Sequence, residues 1–289
     1  MLRSALVFSV MWVLKVLSRT FYRHDFQWIG PTPKKPWADI RLVVFLNHTS
    51  LFEPLFIGAV PNSFIWRLAA HGVVPAADKT TDRPLVGLVF KFIAHHVIAI
   101  TRQRDDTWFE VLRKIDPDSM VVIAPEGRMK RANGLDLHGR PMTVRGGVAD
   151  ILHAIREGRM LIAYSGGLHH VQIPGQMPRI FKKVQLRVEN IEIRDYIAEM
   201  MKNGGEEEFK RNVIRDLEHA ATRTARTTNR RRAKSPSRAS RTKRWSGGRP
   251  RPPTLSGETR PRAKSPSAPL ALKRWSGGRP RPPTLSGET

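Results

Sequence analysis

The chain has 289 residues and a formal net charge of +25, long enough to bury a sizeable core in one large domain or two smaller ones. It contains no cysteine, which excludes disulfides, thiolate metal ligands and a cysteine nucleophile. The charge is uneven, because residues 222–289 hold 19 Lys and Arg against two acids. The rest of the chain is therefore only moderately basic.

The first predicted element is an apolar stretch over residues 5–17, interrupted by Ser9 and Lys15 and flanked by basic residues. It is shorter than the ~20 residues of a clean membrane span, and no signal-peptide cleavage site follows it. A helix in the membrane interface, with Trp12 at headgroup depth, fits better, and an ordinary core helix is the alternative. We assign residues 1–24 to a membrane-associating helix on the cytoplasmic face of a membrane.

From residue 39 onward, short apolar runs alternate with amphipathic stretches, a pattern typical of an α/β domain. The predicted strands, apolar enough to be buried on both faces, cover 41–46, 95–100, 119–124 and 159–164, with a further strand pair around 179–193. The predicted helices cover 82–94, 105–115 with Asp105 as N-cap, 146–158, and a closing helix over 195–221 broken near Asn203. We predict a mostly buried β-sheet flanked by helices, forming one α/β domain over residues 25–221.

Residues 222–289 are rich in Pro, Gly, Ser and Arg and poor in branched aliphatic side chains. Such a segment cannot offset the entropy that it would lose on ordering. Residues 243–259 recur as 273–289, and two copies are too few for a solenoid. We predict a disordered basic tail with a 30-residue repeat. It is either a duplication without a role or an arm that contacts anionic lipid or nucleic acid.

Polar clusters follow three of the predicted strands. They are Asn47-His48, Thr101-Arg102 and Pro125-Glu126-Gly127. In α/β domains, functional sites gather at the carboxyl ends of the strands. We therefore expect these clusters to lie at one edge of the sheet.

His48 and Glu53 form a candidate catalytic pair. A carboxylate that fixes the tautomer of a histidine and stabilises its imidazolium makes the ring a useful general base. A tight turn would fold the Glu53 carboxylate back to Nδ1 and leave Nε2 facing a substrate. Because no nucleophilic serine stands out, the pair favours direct deprotonation of a hydroxyl. A histidine that ends its strand for structural reasons is the alternative.

Cations also follow the strands, among them Arg102, Arg104 and Arg128. A guanidinium group is suited to bidentate recognition of phosphate, although each of these side chains could also be a solvated loop cation. The paired histidines at 95–96 and 169–170 do not suggest a metal site, because adjacent residues on a strand point to opposite faces. No metal is predicted.

Taken together, the polar blocks resemble those of the glycerolipid acyltransferase family, which includes lysophosphatidate and glycerol-phosphate acyltransferases. The matching blocks are residues 47–53, Arg102, residues 125–128 and residues 143–147, and the resemblance spans roughly residues 43 to 174. The family pattern is His-x4-Asp, followed later by Phe-Pro-Glu-Gly-Thr-Arg. This chain has Glu53 in place of the aspartate and lacks the threonine before Arg128.

The resemblance implies a role for each matched residue. His48 would deprotonate an acceptor hydroxyl as it attacks an acyl thioester, and Glu53 would orient the imidazole. Arg102 would contact the phosphate of the acceptor. The other candidates for substrate binding are Asn47, Glu126, Gly127, Arg128 and Arg145.

We therefore predict a membrane-associated O-acyltransferase that moves a fatty acyl group from acyl-CoA or acyl carrier protein to a lysophospholipid or related hydroxyl lipid. The implied partners are membrane lipids, the thioester donor and the lysolipid acceptor, and no cofactor is required. The departures from the family pattern leave a catalytically degenerate lipid-binding homologue as an alternative. The basic tail leaves a nucleic-acid-binding protein as another, although the body lacks a nucleic-acid motif.

Overall fold

A computed structural model describes residues 1–78, 92–101, 103–173, 176–202 and 204–234, with side chains up to Thr222. Arg102, nearly all of the predicted helix over 82–94 and residues 235–289 of the predicted tail lie outside the described residues.

Seven strands are found in the described ranges. They are β1 (Arg23–Ile29), β2 (Ile40–Leu46), β3 (Gly72–Ala77), β4 (His96–Ile100), β5 (Met120–Ile123), β6 (Arg159–Ser165) and β7 (Lys183–Glu192). They form one sheet in the order β1-β7-β6-β2-β5-β3-β4. Strands β2 to β6 run parallel to one another, while β7 is antiparallel to β6 and parallel to β1. The carboxyl ends of these five parallel strands therefore lie along the same end of the sheet.

Helices cover both faces of the sheet. They are α1 (Leu2–Phe21), α2 (Asn62–His71), α3 (Asp106–Arg113), α4 (Gly147–Ile155), α5 (Ile193–Met201) and α6 (Glu206–Lys234), with a 3₁₀ helix over Glu53–Ala59. Leu42, Val44 and Leu46 of β2 pack with α3 to α6. Val43 packs on the opposite face with α1, α2 and the 3₁₀ helix, as the two-residue period of a strand requires.

The predicted α/β class is confirmed, with a sheet buried between two helical layers. The four single strands and the helices α3 and α4 lie where the hydrophobic pattern predicted them. Asp105 caps α3 as predicted, because its carboxylate accepts the backbone N–H groups of Thr107 at 3.1 Å and Trp108 at 3.4 Å.

Two expectations about strands were wrong. The strand pair around residues 179–193 is one long strand, β7, whose alternating Val184, Leu186 and Val188 are buried. Its outer neighbour is β1, far away in sequence. β4 is not buried on both faces, since it lies at the edge of the sheet and only Ile98 within it is buried.

The closing helix is divided as expected. α5 ends at Met201 and α6 begins at Glu206, on either side of the predicted break. The backbone of α6 continues past Ala221, the predicted end of the folded domain, as far as Lys234. Phe209, Val213 and Leu217 recur every fourth residue and bury one face of α6 against the sheet layer.

α1 has an apolar outer face. By length and composition alone this helix of 20 residues could cross a membrane. Its exposed large apolar side chains are Leu2, Leu6, Val10, Trp12, Val13, Val16, Leu17 and Phe21. Its buried stripe instead includes Ser4, Lys15 and Ser18. Because a water-facing helix normally has the reverse arrangement, the outer face is suited to lipid.

Side chains of α1 also fix it to the domain. Three hydrogen bonds do so: Lys15 Nζ to Asn62 Oδ1 at 2.6 Å, Ser18 Oγ to the Leu55 carbonyl at 2.6 Å, and Arg19 Nε to the Gly58 carbonyl at 2.8 Å. α1 therefore lies against α2 and the 3₁₀ helix.

The packing of α6 yields a stability prediction. Phe209 is fully buried and its ring centroid lies 4.6 Å from that of His153 on α4. We expect Phe209→Ala to lower the free energy of unfolding by about 3–5 kcal/mol, because a cavity replaces the ring. Urea unfolding in detergent, followed by circular dichroism, measures the change. Phe109→Ala is the matched control, since Phe109 is 41% exposed. Equal losses in both variants would contradict the placement of α6.

Candidate active site

The structure brings His48 and Glu53 together just beyond the end of β2. Glu53 is the first residue of the 3₁₀ helix, and its Oε2 forms a hydrogen bond with His48 Nδ1. Its other oxygen, Oε1, accepts the backbone N–H of Thr49 at 2.7 Å. One carboxylate therefore holds both the imidazole and the turn that carries it. Because Nδ1 is engaged, Nε2 is the ring nitrogen left to exchange a proton with a substrate.

Glu126 supports the same turn from behind. Its carboxylate is buried, and its two oxygens accept the backbone N–H groups of Asn47 at 3.1 Å and His48 at 3.0 Å. Asn47 has a φ of +60°, in the left-handed region that asparagine tolerates better than most residues. Two successive amides can then face one anion. Glu126 thus positions the backbone of His48, and its neighbour Gly127 lines a cavity.

The two carboxylates set the electrostatics of His48. Burial lowers the pKa of His48, but the charge and hydrogen bond of Glu53, aided by the charge of Glu126, outweigh this and raise the pKa above its ordinary value. Burial raises the pKa of Glu126, and the hydrogen bonds from Asn47 and His48 and the charge of Lys130 offset only part of the rise. The surroundings therefore stabilise an imidazolium, the form that a general base adopts after it accepts a proton.

Lys130, a cation after β5 that was not among the predicted site residues, is part of the site. Its backbone N–H donates to the His48 carbonyl at 2.7 Å, and its Nζ donates to Asn47 Oδ1 at 3.2 Å. The loop after β5 therefore packs against the turn after β2. Through Lys130 it binds both the backbone of His48 and the side chain of Asn47.

Arg128 lies in the cavity wall and is paired with a buried acid. Its guanidinium forms an ion pair with Asp136, which also accepts the backbone N–H groups of His138 and Arg140 at 2.8 Å each. This ion pair closes the loop that follows β5. Asp136 therefore partly neutralises the charge that Arg128 could offer to an anionic substrate.

A cavity of about 850 Å³ opens beside His48. Its apolar wall lies on the face of the sheet covered by α1 and α2 and includes Val43, Phe45, Phe64, Leu161 and Ala163. The charged residues of its lining include three acids, Glu53, Asp136 and Asp150, and five cations, Arg104, Arg128, Arg131, Arg145 and Lys210. An apolar interior with a cation-rich rim suits an amphiphile that has an anionic head.

The segment that precedes α4 and contains Arg145 is held by the loop after β5 and by α6. The backbone N–H of Arg145 donates to the Pro125 carbonyl at 2.9 Å, and that of Val144 donates to Glu218 Oε1 on α6 at 3.0 Å. Lys210 of α6 packs so closely on Gly146 that a Cβ there would lie 2.2 Å from Lys210 Cε. Glu218 is therefore a positioning residue, and its separation of 74 residues from Val144 hid this from the sequence.

Arg104 lines the cavity beyond the end of β4. Its guanidinium lies 3.5 Å from the carboxylate of Asp150 on α4, which also accepts the indole N–H of Trp108 at 3.0 Å. Its neighbour Arg102, the residue predicted to contact a phosphate, lies outside the described residues.

Within the described ranges, no three His, Asp or Glu side chains are grouped so that they could hold a metal ion. Chemistry without a metal or a cofactor stays a prediction.

The family model described as Acyltransferase matches residues 31–167. The match begins before β2, ends after β6, and includes the candidate catalytic pair, Glu126 and Arg145. The match supports the resemblance to acyltransferases over this part of the chain.

The fold also has a structural relative. The chain resembles the crystal structure of the 1-acyl-sn-glycerophosphate (LPA) acyltransferase PlsC from Thermotoga maritima, with a TM-score of 0.51 and 18% sequence identity, over 80% of this chain and 81% of that one. At this identity the likeness establishes a shared fold. No curated protein matches the sequence.

The candidate catalytic pair predicts a particular pH dependence for acyl transfer. We expect His48→Ala to lower kcat/KM by about 10²–10⁴-fold, the usual cost of removing a general base. Glu53→Gln should cost less and should move the acid limb of the pH–kcat/KM profile to lower pH. The charge of Glu53 raises the pKa of His48, so without it the neutral base persists into more acidic solution.

The exposed His219 of α6 provides the control, since His219→Ala should leave the rate and the profile unchanged. The assignment of His48 would be wrong if His48→Ala kept half of the activity. A shift of the acid limb to higher pH in Glu53→Gln would contradict the assigned electrostatics.

The contact between α6 and the loop supports a further prediction. Glu218→Ala removes the acceptor for the Val144 N–H, at a cost of about 1 kcal/mol, so we expect the acceptor KM to rise ~5-fold while the donor KM stays constant. Glu218→Gln retains a carbonyl oxygen and should behave like the wild type. Steady-state kinetics with each substrate varied in turn gives both constants. Equal losses in the two variants would show that charge, and not this hydrogen bond, matters.

Proposed function

We propose that the protein transfers a fatty acyl group from acyl-CoA or acyl carrier protein to the hydroxyl of a lysophospholipid or a related lipid, at the cytoplasmic surface of a membrane. The observation that supports this most strongly is the His48–Glu53 pair beside the apolar cavity. The family match supports acyl transfer in general, and the geometry of the cavity supports lipid substrates.

The proposed reaction follows from the position of Nε2. The acceptor hydroxyl oxygen forms a bond to the acyl carbonyl carbon, and the carbon–sulfur bond breaks. The hydroxyl proton passes to His48 Nε2, and Glu53 stabilises the resulting imidazolium. That proton then neutralises the departing thiolate, so that an ester and a free thiol leave and the neutral imidazole is restored.

The apolar part of the cavity is the proposed site of a fatty acyl chain. Its volume of about 850 Å³ lies within the range of ligand pockets, and each CH₂ group removed from water contributes about 0.8 kcal/mol. Met11 and Leu14 of α1 are among the lining residues. The helix proposed to contact the membrane thus also forms part of the wall of this cavity.

The cation-rich rim is the proposed site of an anionic headgroup. Arg145 and Lys210 line the part of the cavity next to α4 and α6, and α1 lies on the other face of the sheet. Arg102 is proposed as a contact of an acceptor phosphate on the strength of the family resemblance. A phosphate would be bound better by a guanidinium than by an ammonium group, because the planar fork offers two parallel hydrogen bonds.

A direct assay tests this proposal. Purified full-length protein would be given acyl-CoA or acyl carrier protein donors and a panel of lysolipids with and without a phosphate group. We expect ester formation with at least one phosphate-bearing acceptor, and a rate at least about a hundredfold lower from His48→Ala. A protein that binds lysolipids but turns over no donor would instead be a catalytically degenerate lipid-binding homologue.

The position of the acyl chain can be tested separately. Ala163 lies in the cavity wall on β6 and is nearly fully buried. We expect Ala163→Phe to shift the preferred acyl donor to shorter chains, because the ring fills space that a long chain would occupy. The exposed Ala154 of α4 provides the control variant Ala154→Phe. A series of acyl-CoA lengths measures the preference, and an unchanged profile in Ala163→Phe would place the chain elsewhere.

A further inference from the structure

A second exposed apolar surface lies beyond the end of α1. The segment 176–182, which leads into β7, exposes Met177, Ile180 and Phe181 by 87%, 48% and 61%. Two exposed cations, Arg179 and Lys182, lie among them. Large apolar side chains that face water cost free energy, so their grouping in one short segment calls for a physical reason.

The backbone of this segment is held in place. The N–H of Arg179 donates to the Val171 carbonyl at 2.7 Å, and that of Phe181 donates to the Phe21 carbonyl of α1 at 2.6 Å. Phe181 has a φ of +58°, a conformation that bulky residues rarely adopt. Strain of this kind persists only where the surrounding structure fixes it, and it is concentrated at functional sites.

The segment extends the outer face of α1. The ring centroids of Phe181 and Phe21 are 6.2 Å apart, and Phe21 is the last residue of α1. The exposed apolar face of the helix therefore passes directly onto the segment. A contiguous apolar surface of this kind marks a protein or membrane contact.

The charges favour a membrane over a protein partner. Arg179 and Lys182 accompany the apolar side chains of the segment, and Arg3 and Arg19 are exposed at the two ends of α1. Apolar side chains that enter the acyl boundary, with cations beside them at headgroup depth, are the arrangement of interfacial membrane contacts. Each such cation near an anionic surface adds to the attraction.

We propose that residues 176–182 form a second membrane-inserting element, which docks the protein on an anionic bilayer together with α1. The proposal rests on the proposed function to the extent that lipid substrates bring the protein to a bilayer. Docking, however, requires no acyl transfer. The two ideas can therefore fail independently.

The absence of cysteine allows a direct test. Met177→Cys, Val13→Cys on α1 and Met201→Cys on α5 each introduce a single thiol for an environment-sensitive fluorophore. Met201 is the matched control, because it is exposed by 39% on the helical layer opposite to α1. Vesicles of phosphatidylcholine with phosphatidylglycerol should shift the emission to the blue at 177 and 13 but not at 201. Spin-labelled lipid should quench the first two labels.

Two results would overturn the proposal. A label at position 13 that responds to vesicles while the label at 177 does not would leave α1 as the membrane contact without this segment. A response at 177 that depends on protein concentration and needs no vesicles would assign the surface to a second copy of the chain.

Vesicle flotation provides a second measurement. The double variant Met177→Ser, Phe181→Asn removes two apolar side chains, and asparagine tolerates the positive φ. We expect its affinity for anionic vesicles to fall about tenfold relative to wild type and to Met201→Ser, while acyl transfer with detergent-dispersed substrates is retained. Unchanged vesicle affinity in the double variant, with its circular dichroism intact, would contradict the proposal.

Discussion

The site depends on one turn held by two carboxylates. Glu53 binds the ring of His48, and Glu126 binds the backbone amides of Asn47 and His48. This arrangement requires β2 and β5 to be parallel neighbours, as they are, because only then do the turn and Glu126 meet at the same sheet edge. A register slip of one residue would turn the side chains of β2 to the opposite faces and separate Glu126 from the turn.

The segment after His48 links catalysis to the proposed membrane contact. The 3₁₀ helix starts with Glu53, the proposed partner of the general base, lines the cavity through Phe56 and binds α1 through the carbonyls of Leu55 and Gly58. A helix with its apolar face outward is thus fixed to the 3₁₀ helix that follows His48, the proposed general base. In the proposed membrane contact, this proximity would give an amphiphilic substrate a short path from the bilayer to the cavity.

The sequence predicted the parts of the fold that depend on local patterns. Continuous apolar runs revealed the central strands, and Asp105 revealed the start of α3. The strand β1 was missed because its sequence, RHDFQWI, is not a continuous apolar run like those of the predicted strands, although Phe26 and Trp28 alternate with polar residues as in a strand. Its stability comes from pairing with β7. Lys130 and Glu218 were missed for a related reason, since only the folded chain brings them to residues 47 and 144. The role of Arg102 stays a prediction, as it lies outside the described residues.

The protonation of His48 tests the central claim most directly. In ¹⁵N-labelled protein in detergent, the imidazole signals of His48 can be assigned by their loss in His48→Gln and followed through a pH titration. The account predicts a neutral ring protonated at Nδ1 and a pKa above the ordinary value of a histidine, which is about 6.5. A neutral ring whose proton sits on Nε2 instead of Nδ1, or a pKa at or below that value, would contradict it.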